Sequence, residues 1–126
     1  MAYEIFIDED LQYITIVNHG AFTNQLAMAQ NIESHELGRQ KGINRYLVDL
    51  TNSHFAGSIV DHYQFAYEEL PKEAAIDLLA KVALLVSPQD HSHDFMETVA
   101  RNSGINLTIF RDRELAIRHL ISDSFE

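Results

Sequence analysis

The segment Lys81 to Ser87, KVALLVS, constrains the fold more than any other part of the sequence. All its central positions are apolar, which is typical of a β-strand that is covered on both of its faces. Strands of this kind lie inside sheets with helices or loops on both sides, and their neighbours are mostly parallel. The segment therefore predicts an internal strand of an α/β sheet.

The first residues of the chain predict a β-hairpin. Residues 3–8 and residues 11–17 both alternate in side-chain character, which is typical of half-buried strands. The acidic residues DED lie between the two segments, and their composition suits the turn of a hairpin.

The next element predicted is a helix that Thr23 caps and that runs to about Arg39. A threonine in this position can accept a hydrogen bond from an amide of the first turn, and Gly38 or Gly42 ends the helix. An apolar stripe at helical spacing marks the face that packs on the core. The stripe consists of Leu26, Ala29, Ile32 and Leu37.

Strand three is predicted at residues 45–50, RYLVDL. A polar loop follows it, and Ser58 begins a second helix with apolar residues at helical spacing. Pro71 ends that helix, because proline has no amide hydrogen to donate. The chain from Arg45 to Pro71 is therefore a strand–loop–helix unit.

The last third of the chain predicts two more helices and one more strand after KVALLVS. Residues 95–100 mark a helix that ends near Gly104. Residues 105–110 form strand five, and Asp112 caps the final helix. The complete order is β-β-α-β-α-β-α-β-α, which predicts a mixed, mostly parallel sheet with right-handed crossovers. Since no repeat or linker interrupts this order, residues 1–126 are predicted to form a single α/β domain.

The composition excludes several classes of partner. Nine Lys and Arg residues stand against nineteen Asp and Glu residues, which gives a formal charge of −10. A surface with this charge repels phosphate backbones, so we expect no nucleic-acid binding. The most apolar stretch, residues 74–86, contains two charged residues and is too short for a membrane span. The acidic N-terminus does not resemble a signal peptide, and the chain has no cysteine, so we expect a cytoplasmic protein.

Three short motifs occur in the order of the predicted elements. Their residues are Tyr3, Glu4, Ile5 and Asp8 in the first strand, Asp49 and Leu50 at the end of the third, and Phe110, Asp112, Ala116 and Leu120 in the last segment. In this pattern the chain resembles the SpoIIAA-like branch of the STAS superfamily, the anti-sigma-factor antagonists. The resemblance implies a SpoIIAA-like β-α superhelix, a fold that is shared with the lipid-binding lobe of CRAL-TRIO proteins.

The resemblance draws attention to Ser58. In anti-sigma-factor antagonists the loop after strand three carries Asp-Ser-Ser-Gly, and a kinase phosphorylates a serine in it. An ungapped alignment puts residues 57–60, GSIV, on that motif, and only Ser58 matches. The same serine begins a capping box, because its hydroxyl can accept from the amide of Asp61. Ser58 is therefore a candidate helix cap or phosphorylation site.

Polar side chains follow three of the predicted strands. In an open α/β sheet the carboxyl ends of parallel strands share one edge, where ligands collect. The candidate residues for a ligand or partner rim are Asp49, Asn52, Ser53 and His54 after strand three, Ser87, His91 and His93 after strand four, and Arg111 after strand five. The alternative is that these loops are polar because water surrounds them.

The segment DHSHD, residues 90–94, has the composition of a metal site. His91 and His93 could reach one ion from an extended loop, but acids at the start of a helix also satisfy its dipole. No nucleophile-elbow sequence surrounds Ser53, so we expect no catalytic triad there. We therefore predict no catalytic residue, no metal and no cofactor.

The sequence predicts a non-catalytic regulatory or protein-interaction module of SpoIIAA-like type, without the intact phosphorylation motif. Its partner is an unidentified protein. The alternative is a small carrier of an apolar ligand or lipid, of CRAL-TRIO type, in which Phe55, Tyr63 and Tyr67 line a pocket. Because strands one and four carry apolar side chains on both faces, something must cover the second face of the sheet. A second copy of the chain is one candidate, and we predict a homodimer that strengthens with salt.

Overall fold

The computed structural model describes residues 2–55, 80–102 and 104–122. The strands in this part of the chain are β1 (Tyr3–Asp8), β2 (Tyr13–Phe22), β3 (Arg45–Phe55), β4 (Lys81–Leu85) and β5 (Asn106–Phe110). The helices are α1 (Asn24–Lys41), α2 (Asp94–Asn102) and α3 (Arg113–Ile121). The helix predicted to begin at Ser58 lies outside the described residues, as do Tyr63 and Tyr67. None of the described helices is long and apolar enough to cross a membrane.

The strands form one five-stranded sheet in the order β1-β2-β3-β4-β5. β1 pairs with β2 in antiparallel orientation, while β2–β3, β3–β4 and β4–β5 are parallel pairs. In the turn between β1 and β2, the Asp8 carboxylate accepts a hydrogen bond from the Leu11 amide at 2.9 Å, as aspartate often does in turns. The mixed, mostly parallel sheet of the predicted α/β fold is therefore confirmed.

β3 is longer than the sequence predicts. Its predicted end is Leu50, but the strand continues to Phe55. β2 is longer as well, and its residues 19–22 pair with residues 52–55 of β3. The prediction of a loop directly after Leu50 is wrong because the backbone of this segment finds partners in β2. The polar side chains of the segment give no sign of that pairing.

The side chains of β4 point alternately to the two faces of the sheet. On one face, Leu84 belongs to a buried cluster with Ala27 of α1 and Ala100 of α2. On the other face, Ala83 packs in a cluster with Ala116 of α3. β4 is therefore covered on both faces, as its apolar sequence predicts.

The predicted caps of α1 are confirmed. The Thr23 hydroxyl accepts a hydrogen bond from the Leu26 amide at 3.1 Å, and so satisfies one donor of the first turn. Gly42 ends the helix in the left-handed conformation, with a φ of 71°. Glycine adopts this conformation without the steric cost that a Cβ atom would add.

The predicted apolar stripe of α1 is wrong. Ile32, one of its members, is 41% exposed. The buried residues of the helix are Ala27, Gln30, Ser34, His35 and Gly38. This largely polar face packs on the sheet because the sheet supplies its partners. Gln30 pairs with Asn18 of β2, and His35 stacks on Tyr46 of β3 at a ring-centroid distance of 4.4 Å.

Candidate functional site

The carboxyl ends of β3, β4 and β5 lie at one edge of the sheet, as their parallel pairing requires. We call residues 53–55, 87–94 and 111 at this edge the rim. The Ser87 hydroxyl donates a hydrogen bond to the Thr51 carbonyl at 2.7 Å, and the Ser92 hydroxyl accepts one from the Phe55 amide at 3.1 Å. The loop between β4 and α2 is therefore held against the end of β3.

Arg111 connects the end of β5 to the start of α2. Its Nη2 donates to Asp94 Oδ1 at 2.9 Å and to the Asp90 carbonyl at 3.2 Å. The Nδ1 of His91 lies 3.1 Å from that Nη2 and 2.8 Å from Asp94 Oδ2. An arginine only donates and a carboxylate only accepts, so Nδ1 bonds to one of these partners at a time, according to its tautomer.

Asp94 keeps its negative charge in this cluster. The hydrogen bond with His91 lowers the pKa of the Asp94 carboxyl most, and the hydrogen bond and charge of Arg111 lower it further, against a smaller opposing effect of burial. The positive charge of Arg111 is thus balanced locally at neutral pH.

His93 belongs to the core, although the sequence places it among the candidate rim residues. None of its surface is exposed, and its ring meets that of Phe22 edge-on at a centroid distance of 5.8 Å. Its Nε2 lies 3.4 Å from the Ser53 carbonyl and 3.7 Å from Asp90 Oδ2. Burial lowers the pKa of His93 more than the Ser53 carbonyl and Asp90 raise it. We therefore assign a neutral imidazole whose Nε2–H donates to Ser53.

Asp49 lies in the middle of β3, away from the rim, because the strand runs on past it. Its side chain is 7% exposed and forms an ion pair with Arg113 of α3, and it accepts from the Thr51 amide and hydroxyl at 3.0 and 2.7 Å. Burial raises the pKa of Asp49, but the bonds from Thr51 and Arg113 outweigh it and lower the pKa overall. Sequence reasoning missed Arg113, whose signal was a buried aspartate that needed a cation.

The other candidates from β3 differ in exposure. Ser53 is buried, and its hydroxyl donates to the Gly20 carbonyl of β2 at 2.6 Å. Asn52 and His54 are exposed. His54 is close enough to Asp90 for its charge to lower the pKa of that carboxyl, after the larger effects of burial, which raises the pKa, and of the bonds from Ser92, which lower it. The structure thus brings His54, but not the Ser53 hydroxyl, to the surface of the rim.

The two histidines of DHSHD face different partners. His91 lies at the surface beside Arg111 and Asp94, whereas His93 faces the Ser53 carbonyl in the core. Among residues 2–55, 80–102 and 104–122, no group of three or more His, Asp and Glu side chains is arranged to hold a metal ion. Ser58, the candidate cap or phosphorylation site, lies outside these ranges.

Two surface depressions lie away from the rim. A groove of about 280 Å³ at the end of α1 is lined in part by His35 and Tyr46. An open depression of about 650 Å³ beside the β1–β2 turn includes Phe6 and Tyr13. Phe55, the described member of the aromatic set predicted to line a carrier's pocket, borders neither of them.

Comparison with known proteins identifies the fold. No family model matches the sequence, and no curated protein matches it. Among solved structures, the chain is similar to an uncharacterized protein of the DUF3478 family, with a SpoIIAA-like fold, from Shewanella loihica PV-4. The TM-score is 0.57 and the sequence identity is 20%, over 94% of this chain and 92% of that one. The SpoIIAA-like fold that the sequence motifs imply is therefore confirmed.

Proposed function

We propose that the protein is a non-catalytic regulatory module of SpoIIAA-like type that binds a protein partner through the rim. The observation that supports this most directly is the mutual bonding of the rim's polar groups. Ser87 and Ser92 bond to backbone groups of β3, and Arg111 bonds to Asp94 and to the backbone of Asp90. A surface fixed in this way loses little conformational entropy when a partner binds.

The same hydrogen bonds argue against nucleophilic catalysis at the rim. A serine nucleophile is activated by a general base within hydrogen-bond distance of its hydroxyl. The Ser53 hydroxyl donates to the Gly20 carbonyl, and the Ser87 hydroxyl donates to the Thr51 carbonyl. The imidazole of His93 faces the carbonyl of Ser53 rather than its hydroxyl. The proposal therefore assigns a binding role, and no catalytic role, to these residues.

The charge of the chain favours a partner with a basic surface. The formal charge of the chain is −10, and Asp94, whose side chain is 49% exposed, stays ionised at the rim. Opposite charge on the partner would raise the rate of association and would disfavour acidic competitors. Because only Ser58 matches the phosphorylated motif, the proposed binding does not require phosphorylation.

A matched pair of charge reversals tests the proposal. Arg111→Glu removes the bonds between β5 and α2 at the rim. Arg118→Glu makes the same change in charge on α3, where Arg118 bonds to Glu114 on the exposed side of the helix. The tagged protein and both variants are purified from the native host and weighed by native mass spectrometry. We expect a protein partner with the wild type and with Arg118→Glu, and its loss with Arg111→Glu.

The same measurement reveals the alternative function. A small apolar molecule bound to the chain, with no protein partner, would contradict the module and support a carrier of CRAL-TRIO type. A partner that both variants retain equally would overturn the assignment of the rim as its binding surface.

A further inference from the structure

The two edges of the sheet are treated differently by the rest of the chain. At β5, the side chains of α2 bond to the backbone groups that point away from β4. Glu97 Oε2 accepts from the Ile109 amide at 2.6 Å, and Arg101 Nε donates to the Leu107 carbonyl at 3.1 Å. Exposed edge groups invite another strand to pair, and bonding them to side chains removes that opportunity. The β5 edge is therefore blocked.

The β1 edge is open over its whole length in the described part of the chain. The His19 amide donates to the Ala2 carbonyl at 2.9 Å, so residues 2 and 19 form a hydrogen-bonded pair of the hairpin. Because such pairs alternate along antiparallel strands, residues 4, 6 and 8 of β1 also bond to β2. The amides and carbonyls of Tyr3, Ile5 and Ile7 therefore point outward, and no described residue bonds to them.

We propose that β1 pairs through this edge with β1 of a second copy of the chain, antiparallel and around a two-fold axis at Ile5. The proposal concerns the edge of the sheet at β1 and does not rest on the function proposed for the rim. Each copy would offer the three outward residues to the other, and the pairing would join two five-stranded sheets into one. Two-fold dimers of this kind are closed, so they do not extend into fibres.

The sequence of β1, YEIFID, selects this register over its neighbours. With Ile5 opposite itself, Glu4 of each copy lies opposite Phe6 of the other, and no carboxylate faces a carboxylate. A shift of the axis to residue 4 would put Glu4 opposite Glu4, and a shift to residue 6 would put Asp8 opposite Glu4. Like charges directly opposite each other destabilise a strand pair. The self-complementary pattern is the reason that a second copy, rather than an unrelated strand, is the occupant we propose.

The exposed aromatic side chain of β1 supports the same register. Phe6 is 53% exposed on the face of the sheet opposite to α1. In the proposed dimer the two Phe6 rings are diagonal neighbours across the new strand pair, within reach of each other. The pairing would therefore remove apolar surface from water as well as satisfy the edge groups. The charge of −10 on each chain opposes it, so salt should strengthen the dimer.

A pair of substitutions at Phe6 tests both the surface and the register. Phe6→Glu would place two glutamates opposite the two Glu4 residues, while Phe6→Lys would place two lysines there. Both variants lose the same aromatic ring at an exposed position. Sedimentation velocity over a concentration series should show dimerisation that is roughly tenfold weaker for Phe6→Glu than for Phe6→Lys, since cross-strand pairs of opposite and like charge differ by this order.

A matched control separates the register from the effect of overall charge. Leu115 is 50% exposed on α3, so Leu115→Glu and Leu115→Lys change the net charge equally at another site. These two variants should dimerise alike. Glu4→Lys combined with Phe6→Glu exchanges the charges of the proposed pair, and it should restore dimerisation to the level of Phe6→Lys. Equal dimerisation of Phe6→Glu and Phe6→Lys would overturn the register.

Hydrogen exchange of the wild-type amides tests the edge without any substitution. The amides of Ile5 and Ile7 should exchange more slowly as protein concentration rises, because they gain partners only in the dimer. The Phe6 amide bonds to β2 within one chain, so its exchange should depend much less on concentration. A monomer at tens of micromolar in both low and high salt, or concentration-independent exchange at Ile5 and Ile7, would overturn the proposal.

Discussion

Asn18 of β2 and Gln30 of α1 exchange two hydrogen bonds through their side-chain amides, at 3.1 and 2.7 Å. The two residues are only 2% and 3% exposed, so each amide depends on the other for its hydrogen bonds. The pair fixes which side of α1 faces the sheet. It explains why the buried face of this helix is polar at positions where a core helix is usually apolar.

The amide pair predicts an asymmetry between single and double substitutions. Gln30→Met or Asn18→Leu alone should lower the free energy of unfolding by about 1–3 kcal/mol, because each leaves a buried amide without a partner. The double variant replaces both amides with apolar groups of similar shape, and it should be closer to the wild type than either single variant. Urea denaturation of the four proteins measures the coupling. Additive losses would show that the amides do not act as a pair.

Gly38 predicts a cost for the smallest possible addition to α1. A Cβ atom at this position would lie 2.1 Å from the Tyr46 hydroxyl and 2.5 Å from the Ile43 carbonyl. The backbone carbonyl cannot move aside cheaply, so Gly38→Ala should destabilise the protein by about 1–3 kcal/mol. In an open helical site the same change would stabilise by roughly 0.5–1 kcal/mol, so the sign decides. Gln40→Ala, on the exposed side of the same turn, is the control and should be nearly neutral.

Local signals in the sequence predicted the elements, and contacts between distant residues decided the rest. Thr23 and Gly42 act within one helical turn, so the caps of α1 followed from their spacing. The buried face of α1 depends on Asn18 and Tyr46, which lie on two different strands. No periodicity within the helix contains that information.

The candidate rim shows the same division. The order of parallel strands was enough to place Ser87, His91 and Arg111 at one edge of the sheet. The burial of His93 and the distance of Asp49 from the rim depend on how far β3 extends. That extension is set by pairing with β2, which the polar residues of β3 do not reveal.

The Asp49–Arg113 ion pair predicts that α3 is held to the sheet by a charge. Arg113→Ala would leave the Asp49 carboxylate, 7% exposed, with only its bonds to Thr51. Because the Arg113 side chain is itself 53% exposed, water weakens the pair, and we expect a loss of about 1 kcal/mol. Arg118→Ala breaks the more exposed pair with Glu114 and should cost less.

Acid should abolish the difference between Arg113→Ala and the wild type. The pKa of Asp49 is lowered in the folded protein, so its contribution to stability is present above the unfolded pKa of about 3.9 and is lost as the pH falls through the folded value. Thermal or urea denaturation at neutral and acidic pH measures this. A difference that persists unchanged at acidic pH would mean that Arg113 acts through packing rather than through its charge.

His93 predicts that stability falls in mildly acidic solution. Its pKa is lowered from 6.5 in the folded protein, so just below pH 6.5 the unfolded chain binds more protons at this residue than the folded chain. The free energy of unfolding should therefore decrease as the pH falls through this range, by up to about 1.4 kcal/mol per pH unit for one proton. His93→Gln keeps an amide donor that can reach the Ser53 carbonyl but has no proton to gain. Urea denaturation between about pH 7.5 and about pH 5.5 should give a shallower pH dependence for this variant than for the wild type. Equal slopes for the two proteins would show that His93 is already protonated in the folded state, against the burial of its ring.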